Sequence, residues 1–281
     1  MEYLKLTFSF LKHNKIKMLL YSIIPALGFA CLYNPGIIIR YFKHYNRPDL
    51  SSFGEIYDAI NNFTHMGGLW WLAMVVVLTF GVASLGAMAG SVQRRMRYGI
   101  EYRNSFGNLW NKINSFFIPV LLAMVSFMLI MQVYFLILSM FCFIWLKLHN
   151  AVVGMILSIL TLLLLVSGVM VCVAMFSTIL PNMAIKGYSF FKAIQMGASE
   201  TLSNIGKILI SLALPSVAML VPVFLVNLFE YSGSWAVNYL FSVMFYLGSF
   251  TIGVPLSYTI FFELNDMKRE DLNTYKEWGL K

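Results

Sequence analysis

The fold is decided by residues 113–146, INSFFIPVLLAMVSFMLIMQVYFLILSMFCFIWL, because these 34 residues include no charged side chain. About 20 apolar residues are enough for a helix to cross a hydrocarbon core roughly 30 Å thick. Backbone polar groups inside lipid must be satisfied within the segment, so a run of this length predicts a transmembrane helix. The excess over one crossing predicts a tilted helix, or one that extends into the headgroup region.

Five further runs with few or no charges accompany this one. Together they predict an all-α, polytopic membrane protein with six transmembrane helices. Residues 1–281 would form a single integral membrane domain, with residues 40–66 as a sizeable external loop. The six predicted spans are residues 18–39, 67–92, 116–146, 151–180, 208–229 and 235–262.

The composition excludes whole classes of function. Hydrophobic residues make up 59% of the chain, against about 45–50% in an ordinary soluble domain. Charged residues make up 11%, against about 25%. Such a chain cannot hide its apolar surface in water, so a soluble enzyme and a disordered chain are excluded. The net charge of +8 fits a membrane protein with a basic cytoplasmic side, so we expect membrane lipids as partners and no nucleic acid.

The Lys and Arg residues predict the orientation. Sixteen of the 20 lie in the N-terminus, the second and fourth connections and the C-terminal tail, and four lie in the other connections. Such an excess marks the cytoplasmic side, so both termini of this multi-pass protein are expected in the cytoplasm. Arg94, Arg95 and Arg97 are expected near lipid phosphates, with Trp110 at the same headgroup level.

A short pattern recurs ahead of the odd spans. N-x2-K-x7-P begins at Asn14 and again at Asn204, and a looser copy begins at Asn111. One interpretation is three two-helix repeats. Amphipathic stretches around Trp110 and Gly197 precede the third and fifth spans, and cytoplasmic interfacial helices are one interpretation of them. The other is that each stretch extends the transmembrane helix that follows.

The external loop carries a helix signal of its own. Ser52 and Glu55 form a capping box. Apolar side chains then recur on one face of a short helix, namely Phe53, Ile56, Tyr57, Ile60 and Phe63. This helix is either a lid that rests on the outer ends of the spans or a binding surface for a partner or ligand.

The middle of every predicted span lacks ionisable side chains, which mark proton relays and ion pathways where they occur. The candidate polar contacts within the membrane are Gln132, Asn227 and Asn238. Gln132 either bonds to a neighbouring helix or contacts a substrate. The chain has no Walker, G-x-S-x-G or dinucleotide-binding motif and no metal-ligand spacing. We therefore expect no catalytic residues, no cofactor and no metal site.

Small residues form one face of the second predicted span. Ala83, Gly86, Ala87 and Gly90 give overlapping pairs at a spacing of four residues, a pattern that lets two helices approach closely. The face packs either within the chain or between copies in a homo-oligomer.

Two stretches resemble a bacterial family. Residues 81–117, GVASLGAMAGSVQRRMRYGIEYRNSFGNLWNKINSFF, lead from a small-residue helix end through a basic turn to an aromatic stretch. Residues 179–209 contain Leu180-Pro181 and Lys186-Gly187. Both stretches resemble YesL-type membrane proteins, and YciC-type proteins are similar in layout. The resemblance implies a location in the bacterial plasma (inner) membrane and an association with sugar transport systems, and it implies no catalytic residues.

These observations support two hypotheses about function. The first is a non-enzymatic integral membrane protein that acts as an accessory or scaffold subunit, with a membrane-protein partner such as a transporter complex. The alternative is a transporter or flippase for a neutral or lipid-like substrate. A transporter needs a polar cavity at mid-membrane depth, whereas a scaffold does not.

Overall fold

The structure, a computed structural model, describes residues 2–33, 52–61, 68–99, 106–147, 151–228 and 235–272. Within those residues the chain is helical and contains no strand, which confirms the all-α class. The helices are α1 (Glu2–Leu32), α2 (Phe53–Asn61), α3 (Gly68–Val76, a π-helical turn at Val77–Gly81, then Val82–Tyr98), α4 (Phe106–Leu146), α5 (Ala151–Lys186), α6 (Phe190–Ser203), α7 (Ile205–Leu228) and α8 (Trp235–Leu264).

Five helices of the described chain are long and apolar enough to cross a membrane, namely α1, α3, α4, α5 and α8. The pair α6 and α7 passes the same test only when taken together, with a bend of 91° between Phe190–Ser203 and Ile205–Met219. The polytopic prediction is therefore confirmed, with five crossings, or six if the bent pair counts as one.

The path of the chain favours six crossings. α1 and α8 run antiparallel: Leu4 shares a buried cluster with Ile260, and Ser22 accepts a hydrogen bond from Thr251 at 3.1 Å. The chain thus enters and leaves the bundle at one end, which requires an even number of crossings. We call this end, where α1 begins and α8 ends, the basic end, because the Lys and Arg residues predicted to be cytoplasmic flank the helix ends there.

Prolines inside the helices do not break them. Pro25 lies within α1, Pro119 within α4 and Pro255 within α8, and each helix is continuous. A proline cannot donate a hydrogen bond to the carbonyl four residues earlier, so Pro25 gives the Tyr21 carbonyl no donor from that position of α1. Ser84 of α3 donates its hydroxyl to that carbonyl at 2.7 Å. A neighbouring helix thereby satisfies the group that lipid could not.

The small-residue face of α3 packs against α4 of the same chain. A Cβ atom added at Gly86 would lie 3.4 Å from Phe116, and one added at Gly90 would lie 3.2 Å from its ring. Lys112 also contacts Gly90, at 3.3 Å from the same added atom. The interpretation as close packing within the chain is confirmed.

Only one of the stretches ahead of the odd spans is a separate helix. Residues 2–17 continue into α1 and residues 106–112 continue into α4, without a break. At these two places the helical backbone is continuous, which agrees with the interpretation that the stretch extends the transmembrane helix that follows. α6 alone is separate, and it meets α7 at 91°.

The three asparagines of the recurring pattern occupy different environments. Asn14 is buried in α1, where its amide donates to the Phe10 carbonyl at 2.9 Å. Asn204 lies at the turn between α6 and α7, and Asn111 is exposed on α4. Structurally equivalent units would place them alike, so the pattern does not reflect three matching two-helix units.

Candidate functional site

A polar cluster joins α5, α6 and α8 at the basic end. The Lys186 ammonium lies 3.1 Å from Oε1 of Glu200 and donates to Oδ1 of Asn265 at 2.6 Å. Lys186 ends α5, Glu200 lies in α6, and Asn265 follows the last residue of α8. One cation thus links the consecutive helices α5 and α6 to the end of α8, which is distant in sequence.

Asn182 extends this cluster into the bundle. It is fully buried, and its amide donates to Oε2 of Glu200 at 2.8 Å and to the Thr178 carbonyl at 3.0 Å. Among the described residues its Oδ1 has no donor. Since Glu200 accepts hydrogen bonds from both Asn182 and Lys186, its carboxylate links α6 to α5 and is a poor candidate for a general base.

The packing of α6 explains its right-angle turn. Its small face, Ala193, Gly197 and Thr201, is buried, and Thr178 of α5 donates to the Gly197 carbonyl at 3.2 Å. Phe191 on the other side is 82% exposed. A helix with one face on protein and exposed apolar side chains beside lysines fits the membrane interface. The ammonium of Lys192 lies 4.5 Å from the Tyr188 ring centroid.

The residues predicted to contact headgroups divide into two groups. Arg97 and Trp110 are exposed, so lipid can reach both. Arg94 and Arg95 are half-buried. The Arg97 guanidinium lies 5.5 Å from the centroid of the Tyr98 ring, which keeps it at the rim of the basic end.

Lys112 belongs to the basic connection that precedes the third predicted span, and the structure buries it. It is buried in α4, and its ammonium donates to the Ser91 hydroxyl of α3 at 3.0 Å. No signal in the sequence marked it, because burial of Lys112 depends on how closely α3 approaches through Gly90. A lysine stem commonly packs along apolar surface in this manner.

Gln132 meets the helix from the external loop. The Tyr57 hydroxyl of α2 donates to Oε1 of Gln132 at 2.9 Å. Burial, followed by the nearby Asp58 carboxylate, raises the pKa of Tyr57 above its ordinary value, so the hydroxyl is protonated and can donate at neutral pH. Gln132 thus bonds to a neighbouring helix through Tyr57, and its contact with a substrate stays a prediction.

The position of α2 differs from the expected lid. Its capping box is present: the Glu55 amide donates to Oγ of Ser52 at 3.3 Å, and Glu55 Oε2 accepts from the Ser52 amide at 3.2 Å. Ile56 and Ile60 are buried in a cluster with Met131 and Phe135 of α4. α2 therefore lies along the side of α4, because its apolar stripe finds a complementary stripe there. Phe63 lies outside the described residues.

The other two predicted polar contacts are placed separately. Asn238 is half-buried in α8, and its carbonyl accepts from the Ser242 hydroxyl at 2.8 Å. Asn227 lies near the end of α7, and its side chain falls outside the described part. Of the three predicted amides, Gln132 bonds to Tyr57, and the described side chains of Gln132 and Asn238 do not form a common site.

A buried ion pair fixes the tail that follows α8. Arg269 donates from Nη2 to Oδ2 of Asp271 at 2.8 Å and from Nε to Oδ1 at 3.2 Å. Its Nη1 donates to the Thr259 hydroxyl of α8 at 3.4 Å. Both charged side chains are almost fully buried. Sequence reasoning missed this pair because it treated the tail as solvated, and the local R-x-D spacing was the one available signal.

Metal-ligating side chains do not converge in the described part of the chain. No group of three or more His, Cys, Asp or Glu residues that could hold a metal ion occurs there. Cys31, Cys142 and Cys172 are free thiols. No family model, curated protein or solved structure matches the chain.

Proposed function

We propose that this integral membrane protein is a non-enzymatic accessory or scaffold subunit that binds another membrane protein. The observation that carries the proposal is how the polar groups of the spans are used. Hydroxyls within the helices donate to carbonyls of their own helix, as Ser139 does to Phe135 at 2.7 Å and Thr161 to Leu157 at 2.8 Å. Groups committed in this way favour a packed frame over a polar pathway for solutes.

The hairpin of α4 and α5 is the surface that we propose for the partner. In the most apolar window of α5, 17% of the residues are buried, in α8 22% and in α4 28%, against 44% in α1 and 50% in α3. Ile137 on α4 and Leu163 on α5 are both exposed. A peripheral hairpin leaves room for a neighbouring protein without disturbing the core formed by α1, α3 and α8.

We also propose a membrane location and orientation for the protein, and a link to one bacterial family. The excess of Lys and Arg at the basic end supports a cytoplasmic position for both termini, and the resemblance to YesL-type proteins supports a bacterial plasma membrane and a link to sugar transport. Paired catalytic groups were not found by sequence reasoning, and this supports a role other than an enzyme.

Site-specific photocrosslinking in native membranes tests the proposal. A photoreactive residue at Ile137 is compared with one at Leu20 of α1, which is also exposed. We expect one membrane protein to crosslink from Ile137, not from Leu20, and to co-purify in stoichiometric amount in mild detergent. A crosslinked dimer of this chain would favour the homo-oligomer instead. Transport of a neutral or amphipathic solute by the purified, reconstituted protein alone would overturn the accessory role.

A further inference from the structure

A pocket at the basic end combines two cationic side chains with an apolar floor. Arg97 at the end of α3 and Lys268 after α8 line it together with Ile185, Phe262 and Met267. Its volume is about 210 Å³. At roughly 30 Å³ for each water in the liquid, this is room for a phosphate group and the atoms next to it.

The fold holds the tail wall of this pocket in place. Asp266 adopts a left-handed backbone with φ of 49°, and the Met267 amide then donates to the Phe262 carbonyl at 2.9 Å. The buried pair of Arg269 and Asp271 anchors the residues that follow. Lys268 therefore projects from a segment that is fixed on both sides, and its position next to Arg97 is built into the structure.

The charges around the pocket favour an anion. Among the described residues, its lining includes two cations and no carboxylate. Lys268 pairs with Glu270 at 2.9 Å, but both side chains are solvent-exposed, at 74% and 37%. Such exposed pairs contribute little, so a phosphate can compete for the lysine. Arg and Lys at a helix end also offset its partial negative charge, and this simpler role must be separated from binding by experiment.

We propose that this pocket binds the phosphate-bearing headgroup of an anionic phospholipid. Arg97 and Lys268 contact the phosphate, and Ile185, Phe262 and Met267 contact the apolar part of the lipid below it. The combination of a charged rim and an apolar floor fits an amphipathic ligand better than a free ion. Basic pockets between helices on the cytoplasmic side of a membrane bind lipid headgroups in this way. The proposal does not depend on the accessory role.

Thermal unfolding of the detergent-purified, full-length protein tests the site. The protein is titrated separately with phosphatidylglycerol, phosphatidylcholine and inorganic phosphate. We expect phosphatidylglycerol to raise the unfolding temperature in a saturable manner and the other two to have little effect. The double variant R97Q/K268Q should weaken this response on the order of tenfold or more, since each cation near an anionic lipid contributes substantially to binding.

Matched variants make the outcome decisive. K15Q/K207Q removes the same charge from two exposed lysines and should leave the response intact. The variant M267A should weaken the response to the lipid by shortening the floor. An equal response to phosphatidylcholine or to inorganic phosphate would overturn the proposal. So would a stability loss in R97Q/K268Q with an unchanged lipid response, which is the result expected if the two cations serve only the helix ends.

Discussion

Single residues in this protein satisfy backbone and side-chain polar groups at close range, because lipid offers no hydrogen bonds. The Ser22 hydroxyl makes two hydrogen bonds, one within its own helix and one to another helix. Its hydroxyl donates to the Met18 carbonyl at 2.8 Å and accepts from Thr251 of α8 at 3.1 Å. Ser84 acts between helices, since it supplies the donor that Pro25 lacks. Each of these bonds satisfies a polar group of one helix and also fixes the position of a neighbouring helix.

The variant Ser84→Ala should lower stability by about 1 kcal/mol, because the Tyr21 carbonyl would lose the hydroxyl donor that α3 supplies at a proline site. Thermal unfolding in detergent measures the loss. The control is Ser126→Ala, whose hydroxyl bonds to the Leu122 carbonyl of its own helix at 2.6 Å. In a Pro25→Ala background the helix supplies its own donor, so Ser84→Ala should become nearly neutral. An equal loss in both backgrounds would contradict this explanation.

Tyr57→Phe should loosen α2 from α4 by about 1 kcal/mol, because the Gln132 carbonyl would lose its donor. Limited proteolysis of residues 52–61 measures the release. Replacing both partners, as Tyr57→Phe with Gln132→Leu, should restore protection, since neither polar group is then left without a partner. Proteolysis at the same rate in wild type and Tyr57→Phe would show that the apolar stripe alone holds α2.

Whole elements are positioned by a few close contacts. α6 turns by 91° from α7, and three features hold it there: the glycine contact at Gly197, the hydroxyls of Thr178 and Thr201, and the Lys186–Glu200 pair. The pair is partly exposed, at 21% and 14%, and solvent screening reduces its contribution. We therefore expect the close packing at Gly197 to dominate.

Gly197→Leu should displace α6 and destabilise the protein by about 1–3 kcal/mol, the usual cost of overpacking. An added Cβ would lie 2.9 Å from Oγ1 of Thr178 and 3.1 Å from Cγ1 of Ile179. Gly206→Leu is the matched control, because nothing lies within 4 Å of its added Cβ. Thermal unfolding distinguishes them. A loss of equal size in the two variants would mean that helix propensity, and not the contact with α5, is responsible.

At the scale of the whole molecule, the antiparallel pair of α1 and α8 closes the bundle at the basic end. The spans with the most buried windows are α1 and α3, and the hairpin of α4 and α5 leaves most of its apolar windows unburied. α4 contains 41 residues, which makes it about 61 Å long at 1.5 Å per residue. This is twice the thickness of the hydrocarbon core, so α4 must tilt or extend beyond it.

A cysteine at Ser52 and one at Lys281 should lie on opposite sides of the membrane, because an odd number of crossings separates them. In a background that lacks Cys31, Cys142 and Cys172, a membrane-impermeant thiol reagent applied to intact cells should label only the variant at Ser52. Permeabilised cells provide the control, since both variants should then react. Labelling of both in intact cells would refute the six-span topology.

Much of the helical architecture could be predicted from hydropathy and charge alone, because the bilayer is a strong and uniform constraint. A run such as residues 113–146 has no other stable state in lipid than a helix, and the capping box at Ser52 is a local signal that the structure reproduces. The small-residue face of α3 was recognisable for the same reason, since its spacing lies within one helix. Such features depend on neighbours along the chain.

The tertiary structure alone decided which groups meet. The burial of Lys112, the cluster of Lys186, Glu200 and Asn265, and the convergence of Arg97 with Lys268 each join residues from different helices. Hydropathy assigns a residue to lipid or to water, but it does not specify the rotation of each helix or which neighbour it faces. Those are set by side-chain packing between helices, and the candidate sites of this protein are formed at these contacts.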